Sequence, residues 1–436
     1  MKIKEKLYGY LRRSEKYTKT DMVYLIKSGS WTTLGQTGNG LITFFLAVIF
    51  ANYLPRESYG VYAYTLSLVE IFGLASLPGI KTSLIRTISS GFSNMLKMAA
   101  KEKFKWSILS VAISLGGAAY YFFKEDVLLG SLLLLAAFFF PILESAGLYD
   151  SFLIGRKLFK ENTLYFLTTR LGFLAAVFLV LQISKNVFYI LLAYLITHAF
   201  FKTIFFIRTL KLEKNSQKEA PGLNEQGEKN GIISAPDNAK KEMMSYAKNL
   251  SLMNILSQIA GQIDKIIVFH FLHGANLALY SFALAPVQQM KSLISPLDTI
   301  LFPKFVKRDL PDIKRQMARK MIFLAGLTIV MVGIYIIVAP YFYDIFFPQY
   351  KESVLFSRIY SVALVFSLTI LPKTALEAHA KIKSLYLTKI IEPLVKISLL
   401  LVLTVYFGIL GTIAALMVSQ FFNFLFTYYL FRKESI

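Results

Sequence analysis

The feature that most constrains this chain is a succession of apolar stretches, each close to the roughly 20 residues that a helix needs to cross a bilayer. They fall at 28–53, 59–88, 106–123, 127–149, 164–184 and 187–209 in the first half, and at 246–272, 276–303, 317–340, 353–373, 384–406 and 408–430 in the second. Backbone inside hydrocarbon must satisfy its own hydrogen bonds, so apolar segments of this length are expected to be helical. The predicted fold class is therefore an all-α integral membrane protein with 12 transmembrane helices. Composition agrees, because 55% hydrophobic against 17% charged residues in 436 is too apolar for a soluble protein of this size.

Lysine and arginine set the orientation. They crowd the N-terminal 27 residues, the 89–105 and 150–163 connections, the central polar segment, the 304–320 connection, the 374–383 turn and the C-terminus. The intervening loops hold Arg56, Lys124, Lys185, Lys351 and almost nothing else. The alternation predicts a multi-pass protein of the cell membrane with both termini cytoplasmic. The N-terminal segment is too long and too charged for the n-region of a signal peptide, so it is expected to be retained. A net charge of +22 would suit nucleic acid on a soluble basic surface, but here the charge lies between hydrophobic spans, so no nucleic-acid partner is expected.

The organising break is the polar run from Lys211 to Met243, which carries twelve charged side chains around Pro221, Gly222, Gly227, Gly231 and Pro236. Such a run cannot bury enough apolar surface to offset its ordering entropy and reads as a solvated linker. The expected organisation is a basic cytoplasmic tail at 1–27, an N-lobe at 28–210 with helices 1 to 6, a cytoplasmic linker at 211–245, and a C-lobe at 246–436 with helices 7 to 12. The two halves look duplicated. An offset of 218 residues, half of 436, places Leu54 on Leu272, Tyr62 on Tyr280, Leu66 on Leu284, Val69 on Val287 and Pro78 on Pro296. Duplication of a multi-helix half is a recurrent build among membrane transporters.

Polar residues inside the spans line up on faces. Thr32, Gln36, Asn39 and Thr43 recur at helical spacing in the first span. Ser251, Asn254, Gln258, Gln262 and Lys265 do so in the seventh, beside Ser257, Gly261 and Asp264. Small and amide residues also glue membrane helices together, which is the plainer reading of the glycines and hydroxyls. Ionisable residues are a sharper signal, since each costs roughly 2.5 to 3.5 kcal/mol to insert and usually faces a wet interior. The deep ones are Glu70, Lys81, Arg86, Glu144, Arg170, Asp264, Lys265, Lys291, Asp298, Glu392 and Lys396. Arg86 and Arg170 lie near span ends, where snorkelling to the interface is the plainer explanation.

Enzyme chemistry finds no foothold. Cysteine is absent, which removes disulfides and thiolate catalysis. Gly35, Gly38 and Gly40 lie inside a hydrophobic helix rather than after a strand, so they do not make a phosphate loop. His270 and His273 have no third ligand nearby in the sequence, so no metal site and no cofactor are expected.

LPRESYGVYAYTLSLVEIFGLASLPGIKTSLIR from Leu54 to Arg86, QIDKIIVFHFL from Gln262 to Leu272, and YFGILGTIAALMVSQ from Tyr406 to Gln420 resemble the Wzx-type polysaccharide flippases. That family belongs to the superfamily that also holds multidrug and toxic-compound extruders and the lipid II flippase. The resemblance implies two pseudo-symmetric six-helix lobes around a central cavity, MATE-like in fold. It also implies transport, without catalysis, of a polyisoprenyl-diphosphate-linked oligosaccharide from the inner to the outer leaflet by alternating access. Polysaccharide polymerase and glycosyltransferases would be neighbouring partners. The 218-residue half length leaves no room for the two extra helices typical of lipid II flippases, which argues against that branch.

The residues support that function in part. A diphosphate and sugar hydroxyls cannot enter hydrocarbon unpaired. Lys265 and Lys291, then Lys81, Arg86 and Arg170, are the expected phosphate-binding cations, with Gln36, Asn39, Asn254, Gln258 and Gln262 as polar lining. Asp264, Glu70 and Asp298 are the candidates for ion coupling. One alternative is a cation-coupled drug extruder, which would use those acids but would find its cargo repelled by Lys265 and Lys291. Another is a membrane glycosyltransferase or ligase, which should carry a large outer loop with catalytic acids, and no loop here provides one.

Overall fold

The computed structural model describes residues 22–218, 233–234, 237–294, 301–302, 304–306 and 308–434. The first half runs α1 (Met22–Tyr53), α2 (Arg56–Gly73), α3 (Ile80–Ser89), α4 (Met95–Phe123), α5 (Val127–Ala146), α6 (Tyr149–Gly155), α7 (Phe159–Ile183) and α8 (Val187–Lys218). The second runs α9 (Asp237–Ile294), α10 (Leu310–Phe346), α11 (Ser353–Ser361), α12 (Ile370–Ala378) and α13 (Ile382–Lys433). A two-residue parallel pair, Phe92–Ser93 with Ile233–Ser234, is the one strand contact among the described residues.

Among the described residues nine helical stretches are long and apolar enough to span a membrane, and α2 with α3, bent by 54° around Pro78, makes a tenth. Two of the nine are far too long for a single crossing. At 1.5 Å per residue, the 58 residues of α9 would reach about 87 Å against a hydrocarbon core of about 30 Å. The backbone breaks inside both: His273 has φ 68° and ψ 177°, and Gly408 has φ 58° and ψ −138°. Taken as two segments each, α9 and α13 bring the candidate crossings among the described residues to twelve. Gly408 is suited to its place, because a side chain is strained at positive φ.

The helix termini have local causes. Asp126 accepts the Leu129 amide at 2.9 Å and caps α5. The N-terminus of α4 receives no such bond from its own cap residue Asn94. Its free amides at Met95 and Leu96 are taken instead by the buried carboxylate of Glu213, at 3.2 and 3.4 Å. That contact narrows the expected linker. Residues 211–218 continue α8 and residues 237–243 open α9, while 219–232 and 235–236 lie outside the described residues.

Connections alternate between two ends of the bundle. The basic end carries Met22, Arg156, Asp237 and Lys433, and the far end carries Tyr53, Lys124, His273, Lys351 and Gly408. One hydrophobic core, with Phe50, Leu54 and Tyr62 packed alongside Phe282, Tyr343 and Tyr350, joins both halves toward the far end. Toward the basic end the core divides. Ile80, Leu84, Leu96 and Phe152 form one cluster, and Phe305, Leu310, Leu371 and Phe431 form another. The halves thus share one core toward the far end and have two clusters toward the basic end, where α3 still meets the start of α9. Outside the bundle, α10 exposes Ile322, Phe323, Ile334, Ile337 and Ile345, each 59–76% accessible, as a lipid-facing row.

Polar contacts fasten the far end. Arg56 pairs with Glu352 at 3.2 Å and donates to the Gln349 carbonyl. Asn52 donates to the Phe346 carbonyl at 3.1 Å. Glu57 accepts the backbone amides of Gly274 (3.2 Å) and Ala275 (2.8 Å), the first free N–H groups beyond the break in α9. Position 57 plus 218 is position 275, so residues matched by the duplication touch here, as they must where a pseudo-two-fold axis passes. The two backbones are close enough that a Cβ on Gly60 would lie 1.9 Å from the Gly274 carbonyl oxygen.

Candidate functional site

Below the fused end, the first part of α9 divides the interior like a septum. It runs antiparallel to α2 and α3: Tyr64 stacks on Phe269 at 3.9 Å, the Gly79 amide donates to Ser251 Oγ at 2.9 Å, and Ser83 donates to the Met243 carbonyl at 2.6 Å. Its opposite side faces α13, where Lys389 donates to Asn254 Oδ1 at 3.2 Å and its carbonyl accepts from Ser257 Oγ at 3.3 Å. Asn254 lines the space on both sides.

On the N-lobe side lies a cavity of about 600 Å³ walled by Glu70, Lys81, Lys103, Glu144, Tyr194, Lys202 and the α9 amides Asn254, Gln258 and Gln262. Its lysines are mostly engaged. Lys103, 1% accessible, pairs with Glu144 at 2.9 Å, and Lys81 reaches Asp150 at 4.0 Å. Lys202 donates to the Leu143 carbonyl at 3.3 Å. Gln262 donates to Glu70 and accepts from Lys265 at 3.0 Å; Glu70 and Gln262 line the wall, whereas Lys265, an expected phosphate-binding cation, is absent from the walls of both cavities. On the C-lobe side a cavity of about 530 Å³ is walled by Lys291, Lys373, Lys389, Glu377, Glu392, Gln420 and Asn423. A third cleft of about 710 Å³ opens sideways between α1, the second half of α9 and α10. It is mainly apolar, with Leu41, Phe44, Pro286, Met290, Val338 and Phe342, and carries Gln36, Asn39 and Gln289.

The expected site residues therefore divide. Lys81, Glu70, Asn254, Gln258 and Gln262 line the N-lobe cavity and Lys291 the C-lobe cavity. Gln36 and Asn39 line the sideways cleft instead, where Asn39 Oδ1 is buried without a hydrogen bond among the described residues. Arg86 stands apart at the basic end, paired with Glu242 at 3.4 Å and lying over the Tyr246 ring at 4.8 Å. Arg170 lies over the Phe166 ring at 5.4 Å and is absent from the walls of both cavities. Asp264 is buried, accepts from Tyr280 and is paired with Lys396 at 3.7 Å. Its charge already has an internal partner. Asp298 lies outside the described residues.

Four wall lysines escape the sequence reading. Lys202 and Lys389 sit well inside spans, so the same intramembrane-charge rule identifies them. Lys103 and Lys373 fall at the edges of apolar stretches, where they read as loop residues until the helices are seen to continue past them. Among the described residues no group of three or more His, Asp or Glu side chains could hold a metal ion.

Three solved structures share the architecture. The lipid II flippase MurJ in an inward closed conformation superposes with a TM-score of 0.64 at 15% identity, covering 93% of this chain and 87% of that one. An inward-facing multidrug resistance MATE family transporter of the MOP superfamily gives 0.55 at 12%, over 91% and 96%. The Vibrio cholerae MATE transporter VcmN gives 0.55 at 13%, over 94% and 97%. At these identities the likeness concerns the fold. No curated protein matches by sequence. The polysaccharide biosynthesis protein family matches residues 25–308, well over half of the chain, and with the two-lobed MATE-like fold already described, this chain belongs to that family.

Proposed function

We propose that the chain is a flippase that carries a polyisoprenyl-diphosphate-linked saccharide from the cytoplasmic leaflet of the cell membrane to the outer one, without breaking or making a covalent bond. The observation that carries this reading is the charge of the two cavities: six lysines, Lys81, Lys103, Lys202, Lys291, Lys373 and Lys389, against four carboxylates, Glu70, Glu144, Glu377 and Glu392. A surplus of cations suits an anionic head group and opposes the cationic cargo of a drug extruder. The amides on the septum offer donors and acceptors to sugar hydroxyls, replacing the water that the head group loses. The sideways apolar cleft offers a path for the lipid tail, which never has to leave hydrocarbon.

In this reading the basic end and both termini face the cytoplasm, so the cavities load from the inner leaflet. Rocking of the lobes about the Glu57–Ala275 contact then closes the basic end and opens the far one. Glycosyltransferases must supply the cargo and a polymerase or ligase must consume it. The test is deletion of the gene in the native cell, with lipid extracts analysed by mass spectrometry. Accumulation of lipid-linked saccharide is the expected result. Normal levels together with hypersensitivity to cationic dyes would transfer the chain to the drug-extruder class.

A further inference from the structure

The two cavities differ in how completely their lysines are neutralised. In the N-lobe cavity Lys103 has Glu144 at 2.9 Å, Lys81 has Asp150 at 4.0 Å, and Lys202 donates to the Leu143 carbonyl at 3.3 Å. Each of the three N-lobe lysines therefore has a partner. In the C-lobe cavity, which like the first is walled by three lysines and two carboxylates, the lysines are less engaged. Among the described residues neither Lys291 nor Lys373 has an ion pair or a hydrogen bond, and both are exposed to the cavity. Lys389 is held by Asn254, a neutral amide that leaves its charge intact. The carboxylate of Glu392 feels the fields of Lys373 and Lys291, yet lies beyond ion-pair distance from either. The other nearby lysine, Lys396, already serves Asp264.

We propose that the diphosphate binds in the C-lobe cavity on Lys291, Lys373 and Lys389, while the N-lobe cavity with its septum amides receives the saccharide. Ammonium groups without an ion-pair partner bind phosphate oxygens without first giving up an existing ion pair. A lysine already paired with a buried carboxylate would have to strand that carboxylate in order to bind phosphate. Asn254, which lines both cavities, lies where the diphosphate joins the first sugar. This assignment rests on the lipid-linked-saccharide reading above and locates the head group within it.

Isothermal calorimetry with farnesyl diphosphate on the detergent-purified full chain at low salt tests the assignment, with farnesol as the uncharged control. The wild type should bind the diphosphate and not the alcohol. Lys291→Gln and Lys373→Gln should each weaken binding about 5- to 10-fold, the scale of one charge-assisted hydrogen bond in a wet cavity. Lys291→Arg and Lys373→Arg should retain most of it. Glu392→Gln should tighten binding by about threefold, because it removes a repelling charge, whereas a merely structural Glu392 would loosen it. Lys81→Gln should cost less than either C-lobe variant. If Lys81→Gln costs as much as Lys291→Gln, or if Glu392→Gln weakens binding, the C-lobe assignment is wrong while the flippase reading stands. If the wild type binds farnesol as well as the diphosphate, both are wrong.

Discussion

Replacing Lys396 by methionine probes the pair that holds the septum to α13. Asp264 is 6% accessible, and it pairs with Lys396 at 3.7 Å and accepts from the Tyr280 hydroxyl. At an effective dielectric constant of about 20, two charges 3.7 Å apart attract by roughly 4.5 kcal/mol. The Lys396 side chain is 20% accessible and the Tyr280 bond survives the change, so the net loss should be smaller, about 3 kcal/mol. That corresponds to a fall of roughly 3 °C in melting temperature for a chain of this size. The double variant Asp264→Asn with Lys396→Met removes both charges and should recover more than about 1 kcal/mol of the loss. Melting of detergent-purified protein, followed by fluorescence-detected gel filtration, gives all values in one assay. An unchanged melting temperature in Lys396→Met, or a double variant no more stable than the single, would refute the buried-pair argument.

Other contacts make further predictions. Gly60→Ala places a methyl 1.9 Å from the Gly274 carbonyl, so it should force the lobes apart at the far end and abolish export in complementation, whereas Gly261→Ala, with open space around it, should be tolerated. Arg56→Ala removes both the Glu352 pair and the Gln349 bond, and should raise labelling of a cysteine placed at Asn52 by an impermeant maleimide, as the far end opens more often. The cysteine-free background also tests orientation: a cysteine at Lys351 should react in intact cells, and one at Lys214 only after permeabilisation.

The twelve crossings and the duplication were legible because hydrocarbon imposes a length on every span and the offset of 218 matches Leu54 to Arg86 with its counterpart. The crossing breaks at His273 and Gly408 were placed to within a few residues, because loop composition changes there even though helical geometry nearly continues. The wall of the cavity was only half legible. Gln258, Gln262 and Asn254 announce themselves by helical spacing on one element. Which lysines share their space depends on how α4, α8, α12 and α13 pack, and no pattern within one helix records that. Arg86 and Arg170 illustrate the converse: both are charged and within apolar stretches, yet their partners are Glu242 and aromatic rings rather than the cavity. Glu213 shows how a residue in a polar run is claimed by a distant helix end that lacks its own cap.

The central claim, transport of an anionic lipid-linked saccharide, is tested most directly in proteoliposomes loaded with a fluorescent polyisoprenyl-diphosphate disaccharide, whose exposure is read by a membrane-impermeant quencher. Each charge that crosses is worth about 2.3 kcal/mol per 100 mV, so a potential that is negative on the side of departure should drive an uneven distribution of a substrate with two or more charges. The account predicts flipping well above protein-free liposomes, biased by that potential, persisting without a sodium or proton gradient, and lost in the Lys291→Gln, Lys373→Gln double variant. Flipping no faster than in empty liposomes, with uptake of a cationic dye by the same preparation, would contradict it.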